Sequence, residues 1–216
     1  MSAFIFDKSQ LKNDPAERGA LDKDGRLVVH EAAFWKQFSQ VEISMFCVRH
    51  GLYSIPTFEL VQWLSQELGQ DPAIEIGAGN GVLADALGIP AYDNKMQDRP
   101  EVQAYYKTLG QTPVTYGPNV VEMDAEMAVY TAKPKVVIAA WVTHLYDPSE
   151  HWREGNAYGV REEEIIKRAK YIFVGNTQPH KFKPILEVPH TMHRFPWLVS
   201  RGFLSSENFI AVWEKK

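Results

Sequence analysis

The 216-residue chain has one cysteine, Cys47. A lone thiol excludes an intramolecular disulfide and any zinc site built on several cysteines, and it fits a reducing, cytoplasmic setting. Long apolar runs are also missing. The longest, Val136 to Val142, falls far short of the ~20 residues a membrane-spanning helix needs, so no membrane association is expected. Met1 to Gln10 has no basic start followed by an apolar core, so no secretory signal is expected there. An excess of positive charge is absent as well: the formal net charge is −4. Obligate, non-specific binding to nucleic acid wants a clearly basic face. Internal repeats and low-complexity tracts are not found.

What is present is the composition of a soluble globular protein, 45% apolar and 23% charged, of a length that suits one large domain or a domain with an appended segment. The charge is unevenly placed. Residues 151–216 carry 11 Lys+Arg against 7 Asp+Glu, while residues 1–150 carry 12 against 20. Five of the seven histidines (His144, His151, His180, His190, His193) fall from residue 144 onward. Such a C-terminal part either faces an anionic substrate or is ordinary surface variation.

Turn signals at Asp14-Pro15 and Lys23-Asp24-Gly25 predict that residues 1–25 form an arm with little regular structure. Arg26 to Val29 reads as a short strand or a lead-in to a helix. From Glu31 to His50, Phe34, Phe38, Val41, Met45 and Val48 recur at spacings of three and four, the mark of one helix face. Thr57 is placed to cap a second helix whose inner face is Val61, Leu64 and Leu68, ended by Gly69. From residue 74 onward strands and helices alternate. Strands are expected at 74–76, 89–92, 120–123, 135–141, 171–174 and 208–213. Helices are expected at 82–87, 101–109, 125–131 and 161–170, with another opening at 184–188. The continuous apolar run 135–141 is what a central parallel strand looks like. The alternation predicts an α/β fold, a doubly wound, mostly parallel sheet with helices on both faces. Ligands on such sheets sit beyond the carboxyl ends of the strands, at the switch in strand order.

The stretch Ala73-Ile74-Glu75-Ile76-Gly77-Ala78-Gly79-Asn80-Gly81-Val82-Leu83 reads as strand, tight loop, helix. Its glycines lie where a backbone must come close to a ligand. The dinucleotide fingerprint G-x-G-x-x-G would put its third glycine at Val82, and no Gly-Lys-Ser/Thr ending of a P-loop follows. The pattern acid-x-Gly-x-Gly-x-Gly resembles the first motif of the class I (Rossmann-like) S-adenosylmethionine-dependent methyltransferases. The resemblance runs from about Ala73 to the C-terminus and implies a seven-stranded-type sheet preceded by a helical extension. It also implies that Glu75, Gly77, Gly79 and Gly81 approach the amino acid and ribose part of S-adenosylmethionine. The acid expected after the second strand to receive the ribose hydroxyls is matched by Asp93, at a shorter spacing than the family's, with Asn94 as competitor. Asp93 would otherwise cap a turn. Glu122-Met123-Asp124-Ala125 resembles the segment beside the adenine, with Asp124 meeting the amino group and Met123 as apolar neighbour, and Asp124 is equally an N-cap.

Residues after the KVVIAAW strand, Trp141 onward, correspond to those lining the methyl-transfer site in the family. His144 is the expected base, with Asp147 or His151 orienting or replacing it; a purely structural His144 is the competing reading. Two substrate classes are disfavoured. No Asn/Asp-Pro-Pro-Tyr/Phe motif of base-amino methylation is found at 141–147, and Cys47 lacks the context of a pyrimidine carbon-5 nucleophile. Loop 147–160, with Trp152, Arg153, Asn156 and Tyr158, is either a substrate lid or a plain connection. Asn176, His180, Lys181 and Lys183 follow the next strand, where they could meet an anionic group. His190 and His193 have no matching acid cluster, so no metal is expected. Trp35, Phe38, Phe46 and Trp63 are core or substrate cover.

The expected organisation is an N-terminal arm and helices, 1–69, followed by the cofactor-binding domain, 70–216. The expected function is methyl transfer from S-adenosylmethionine to an oxygen or nitrogen, of a small molecule or of a polar group on a nucleic-acid or protein acceptor. The alternatives are a non-catalytic scaffold or regulatory module of the same fold and a nucleotide-dependent oxidoreductase, which the glycine spacing disfavours.

Overall fold

The computed structural model describes residues 13–215; Met1 to Gln10 lies outside them. Seven strands form the main sheet: β1 (Ala73–Ile76), β2 (Ala91–Asp93), β3 (Val120–Glu122), β4 (Val136–Ala140), β5 (Lys170–Asn176), β6 (Thr191–His193) and β7 (Asn208–Trp213). Their spatial order is β3-β2-β1-β4-β5-β7-β6. All neighbours from β3 to β5 are parallel, and β7 runs antiparallel to both β5 and β6. The chain enters mid-sheet at β1, winds outward to β3, then returns to β4 on the other side of β1. The strand order therefore switches between β1 and β4, the position where open α/β sheets bind ligands.

Strand periodicity explains how both faces are filled. In β4, Val136 and Ile138 join Ala73, Ile172, Val174 and Ile210 against Leu60, Leu64 and Leu68. Val137 and Ala139 face the other way, with Ile74, Ile76, Tyr171 and Phe173, against Ala128, Val129 and Ile165. These partners come from α3 (Phe58–Leu68) on one face and from α6 (Ala125–Ala132) and α7 (Glu162–Ile165) on the other. The α/β, doubly wound, mostly parallel architecture expected from the alternation is what the chain adopts. Among the described residues, no helix is long and apolar enough to cross a membrane.

Several local expectations are corrected. The single helix expected over 31–50 is two, α1 (Ala32–Trp35) and α2 (Gln40–Arg49). Ser39 restarts it: its hydroxyl accepts from the Glu42 amide while Glu42 accepts from the Ser39 amide at 2.8 Å, a capping box. The described part of the expected arm does have little regular structure, but it is packed down. Pro15–Arg18 forms a 3-10 turn, and Ala20 and Leu27 are buried against Trp35 and Phe46. Around Arg26 to Val29 only one isolated bridge forms, Leu21 to Leu27. The helix expected over 161–170 stops at Ile165 because Lys170 already pairs with Val136 in the sheet. Pro184–Glu187 is a 3-10 turn. Three strands have no sequence signal: β6, and the two-residue strands Ser54–Ile55 and Val199–Ser200 that pair with each other. All are too short to show a period. The ribbon ties the segment between α2 and α3 to the main sheet's end, assisted by the Thr57 hydroxyl donating to the Trp197 carbonyl at 3.3 Å.

Candidate functional site

The loop leaving β1 is built on positive backbone angles. Gly77, Gly79 and Gly81 have φ of +58°, +54° and +72°, values that side-chain-bearing residues rarely adopt. The three glycines serve different ends. A Cβ on Gly77 would lie 2.3 Å from Val142 Cγ1, so Gly77 lets the β4 end approach the β1 end. Gly79 has open room, with its nearest neighbour, Val114 Cγ1, at 3.6 Å from an added Cβ. Gly81 faces Val120 and Asn119; it opens α4 (Val82–Leu87) in a left-handed N-cap.

Glu75 turns back under this loop. Its Oε2 accepts from the Ala84 amide at 2.9 Å in the first turn of α4. Burial pushes its carboxyl up to about 8; the Ala84 amide opposes the rise and the Asp93 charge adds to it. Asp93, at the end of β2, accepts from the Gly79 amide at 2.9 Å and from the Lys95 amide at 2.8 Å. Burial raises its carboxyl, and those two amides hold it back. Asn94 lines the same cavity as Asp93; its Oδ1 accepts from Met96 N, and its Nδ2 donates to the Tyr158 carbonyl at 3.1 Å. Beyond β3, Met123 is half-buried, while the exposed Asp124 caps α6 by accepting from Glu126 N at 2.9 Å. Beyond β4, Trp141 sits at φ +62° and donates its amide to the Val174 carbonyl.

One cavity collects these strand ends. Glu75, Gly77, Gly79, Asp93, Met123, Asp124 and Trp141 all line it, at the switch between β1 and β4, and Gly81 lies outside the lining. Its other end is built from residues that the sequence does not mark. Tyr53 and Ser54, Gln97, Tyr116, and Tyr106 of α5 (Pro100–Thr108) line it there. The Tyr53 and Tyr106 hydroxyls are hydrogen-bonded to each other. Gln97 Nε2 donates to the Tyr53 hydroxyl at 3.3 Å, and Gln97 Oε1 accepts from Val114 N at 2.8 Å. Burial raises the Tyr106 and Tyr116 phenols above their ordinary values. Arg201 lies over the Tyr53 ring at 4.4 Å, and the rings of Tyr53 and Trp141 are 6.1 Å apart. The polar tract 94–118 hides Gln97, Tyr106 and Tyr116 in sequence; the one cue is Tyr106 on the expected helix 101–109.

The catalytic candidates are not brought to this cavity: His144, Asp147 and His151 are all outside its lining. Thr143, His144 and Leu145 pair their backbones with 156–160 (Val160 N to Thr143 O and Asn156 N to His144 O, both 2.9 Å). That pairing turns the imidazole beneath Gly155, to whose added Cβ His144 Nε2 would lie at 3.1 Å. Burial, then the Lys183 charge, lowers the His144 imidazole below its usual value. Asp147 is exposed and caps the Pro148–Arg153 turn through the Ser149 amide and hydroxyl, at 2.8 and 2.7 Å. His151 is exposed and shares a hydrogen bond with the Tyr146 hydroxyl at 2.8 Å.

Loop 147–160 divides. Asn156 and Tyr158 reach the cavity, and the Tyr158 hydroxyl donates to Glu101 at 2.9 Å. Trp152 rests edge-on to Phe182, and Arg153 pairs with Glu150 and Glu187. The expected anion-binding group is mostly consumed internally. Asn176, His180 and Lys183 are buried, and Lys181 lies over the Phe182 ring. His190 bonds the Val188 carbonyl, and His193 stacks on Phe195. Trp35, Phe38 and Phe46 pack in the N-terminal core, and Trp63 meets His193 and Phe195. Among the described residues no group of three or more His, Cys, Asp or Glu is placed to hold a metal ion.

No protein-family model matches the chain, and no curated protein matches its sequence. Solved structures do match. The magnesium protoporphyrin IX methyltransferase of Synechocystis PCC 6803, with bound SAM, aligns over 73% of this chain and 77% of its own, at 16% identity and a TM-score of 0.39. The SAM-dependent methyltransferase NGO1261 of Neisseria gonorrhoeae aligns over 88% and 75%, at 12% identity and 0.34. A candidate SAM-dependent methyltransferase of Streptococcus mutans aligns over 70% of this chain at 11% identity and 0.35; this chain spans 46% of its length. Likenesses this distant decide nothing about the site, and the functional reading is carried by the geometry of the cavity itself.

Proposed function

We propose that this chain is a class I S-adenosylmethionine-dependent methyltransferase, acting on an oxygen or nitrogen of a small or polar acceptor. The observation that carries this reading is the convergence of the ends of β1, β2, β3 and β4 on one cavity at the sheet's switch point. The residues present fit the cofactor. Gly77 and Gly79 leave the loop backbone free of side chains where a ligand would approach. The Asp93 carboxylate is an acceptor suited to ribose hydroxyls, and Met123 offers an apolar surface to an adenine. The faces of Tyr53 and Trp141 suit a sulfonium cation. Glu75 has the supporting role of anchoring α4 behind the loop, and Gly81 that of closing the loop on Val120.

Bound S-adenosylmethionine supplies a methyl group already activated by its positive sulfur. The protein's work is then to align the acceptor and exclude water. Tyr53, Tyr106 and Gln97 hold the acceptor through neutral hydrogen-bonding groups, with the N-terminal segment 1–69 serving as cover for the domain at 70–216. His144, Asp147 and His151, being outside the cavity, are assigned no part in proton transfer. The same observation favours the second reading, a non-catalytic binding module that retains the cofactor site.

Calorimetric titration with S-adenosylmethionine, S-adenosylhomocysteine, NAD and NADP tests the proposal. Binding confined to the first two supports it, and binding of neither rejects it. Methyl transfer from labelled cofactor to any acceptor then separates the enzyme from the module.

A further inference from the structure

Behind the cavity rim lies a buried ion pair that the proposed reaction leaves unused. Lys183 Nζ is 2.6 Å from Glu162 Oε2, and both side chains are 1% exposed. The ammonium also donates to the Val142 carbonyl at 2.8 Å and lies 4.5 Å from the Phe173 ring centroid. The other Glu162 oxygen accepts from the Tyr171 hydroxyl at 2.7 Å. Burial lowers the Lys183 ammonium and raises the Glu162 carboxyl, while each charge opposes its partner's shift. A buried ion pair is weak as a source of stability, because desolvation offsets most of its attraction. Its placement therefore needs another reason.

The reason is Val142. It stands between Trp141 and Thr143, and all three line the cavity. Trp141 holds a backbone angle of φ +62°, a conformation that persists only where its surroundings over-determine it. On the cavity side, the Val142 side chain fills the space a Gly77 Cβ would need. On the far side, Lys183 grips the Val142 carbonyl. We propose that Lys183, oriented by Glu162 and Tyr171, is a positioning residue: it fixes the Trp141–Thr143 turn at the cavity rim and thereby sets cofactor affinity. The effect on affinity rests on the proposed cofactor; the fixing of the turn does not.

Four variants, one of them for resonance assignment, and three readouts test it. Lys183→Met should weaken S-adenosylhomocysteine binding at least tenfold. It should also displace or broaden the indole N–H resonance of Trp141, identified by its loss in Trp141→Phe, with no ligand present. Because that variant leaves Glu162 unpaired, it is expected to melt early or fail to fold. The double variant Glu162→Gln/Lys183→Met removes both charges. It should regain most of the wild-type melting temperature while its affinity stays low and its Trp141 resonance stays displaced. Lys170→Met, which breaks contacts to Glu67 and Glu214 at the start of β5, should leave affinity and resonance unchanged. A double variant with wild-type affinity and a wild-type Trp141 resonance overturns the proposal and leaves the pair a structural element. If the wild type itself binds no S-adenosylhomocysteine, the cofactor reading fails, and the ligand-free resonance alone decides whether the turn is held by Lys183.

Discussion

The two ends of the cavity are assembled differently. At one end, Gly77, Gly79, Asp93, Met123 and Trp141 each stand within a few residues of a parallel strand's carboxyl end. At the other, Tyr53 comes from the segment before α3, Tyr106 from α5, and Gln97 from the chain between β2 and β3; Tyr116, from the same stretch, links the two ends, its hydroxyl donating to Asp93 and accepting from Gln97 N. The residues of this end are joined by side-chain hydrogen bonds rather than by the sheet. The first end is placed by the sheet. The second depends on separate pieces meeting. The proposed division of labour matches this difference: cofactor at the sheet end, acceptor at the assembled end.

The largest expected effect comes from closing the contact between β1 and β4. Gly77→Ala puts a Cβ where Val142 Cγ1 already is, at a φ of +58°. Cofactor binding should be lost, with destabilisation of about 2–4 kcal/mol read from chemical denaturation; retained binding would mean the sheet end is not the site. Asp93→Asn comes next. An amide has one oxygen with which to replace two accepting from Gly79 and Lys95, so about 1–2 kcal/mol of stability and roughly tenfold in affinity should go, by melting and calorimetry.

Glu75→Gln sharpens the contrast through pH. The Glu75 carboxyl is held at about 8 in the fold, so the folded state binds its proton more tightly than the unfolded chain does. That contribution is fully present below the unfolded value near ~4.3 and is lost as pH rises toward about 8. The melting temperature of the Gln variant should therefore gain on the wild type from pH 5 to pH 8. A constant difference would show that Glu75 is not carried in the fold as a protonated, buried acid. The smallest effect is expected at the assembled end: Tyr106→Phe should change S-adenosylhomocysteine affinity by less than about twofold while reducing methylation of any acceptor found. A large loss of cofactor affinity would erase the distinction between the two ends.

The same difference decides what could be read from the sequence. Strand ends were legible because their signals are local: the acid and glycines at 75–81, an acid after each of two short strands, and the run 135–141. His144, Asp147 and His151 lie outside the cavity lining, because residue type and position after a strand do not fix side-chain direction. The backbone pairing of 143–145 with 156–160 turns His144 away, and that pairing has no sequence signature. Of the two roles expected for Asp124, the capping one is visible in the hydrogen bonds; the contact to adenine is a proposal. Tyr53 and Tyr106 are 53 positions apart, and no spacing rule joins them. Lys183 was expected to meet an anionic group, and lysine is seldom buried; that its partners are the buried Glu162 and the Val142 carbonyl has no sequence signal.

The central claim is that the cavity between the ends of β1 and β4 receives S-adenosylmethionine, and a crystal structure with S-adenosylhomocysteine tests it most directly. The account predicts the ligand in this cavity, with its ribose hydroxyls on Asp93, its adenine beside Met123 and Asp124, and its sulfur facing Tyr53 and Trp141. A ligand seated elsewhere, for instance on the outer face near His144 and His151, would contradict it.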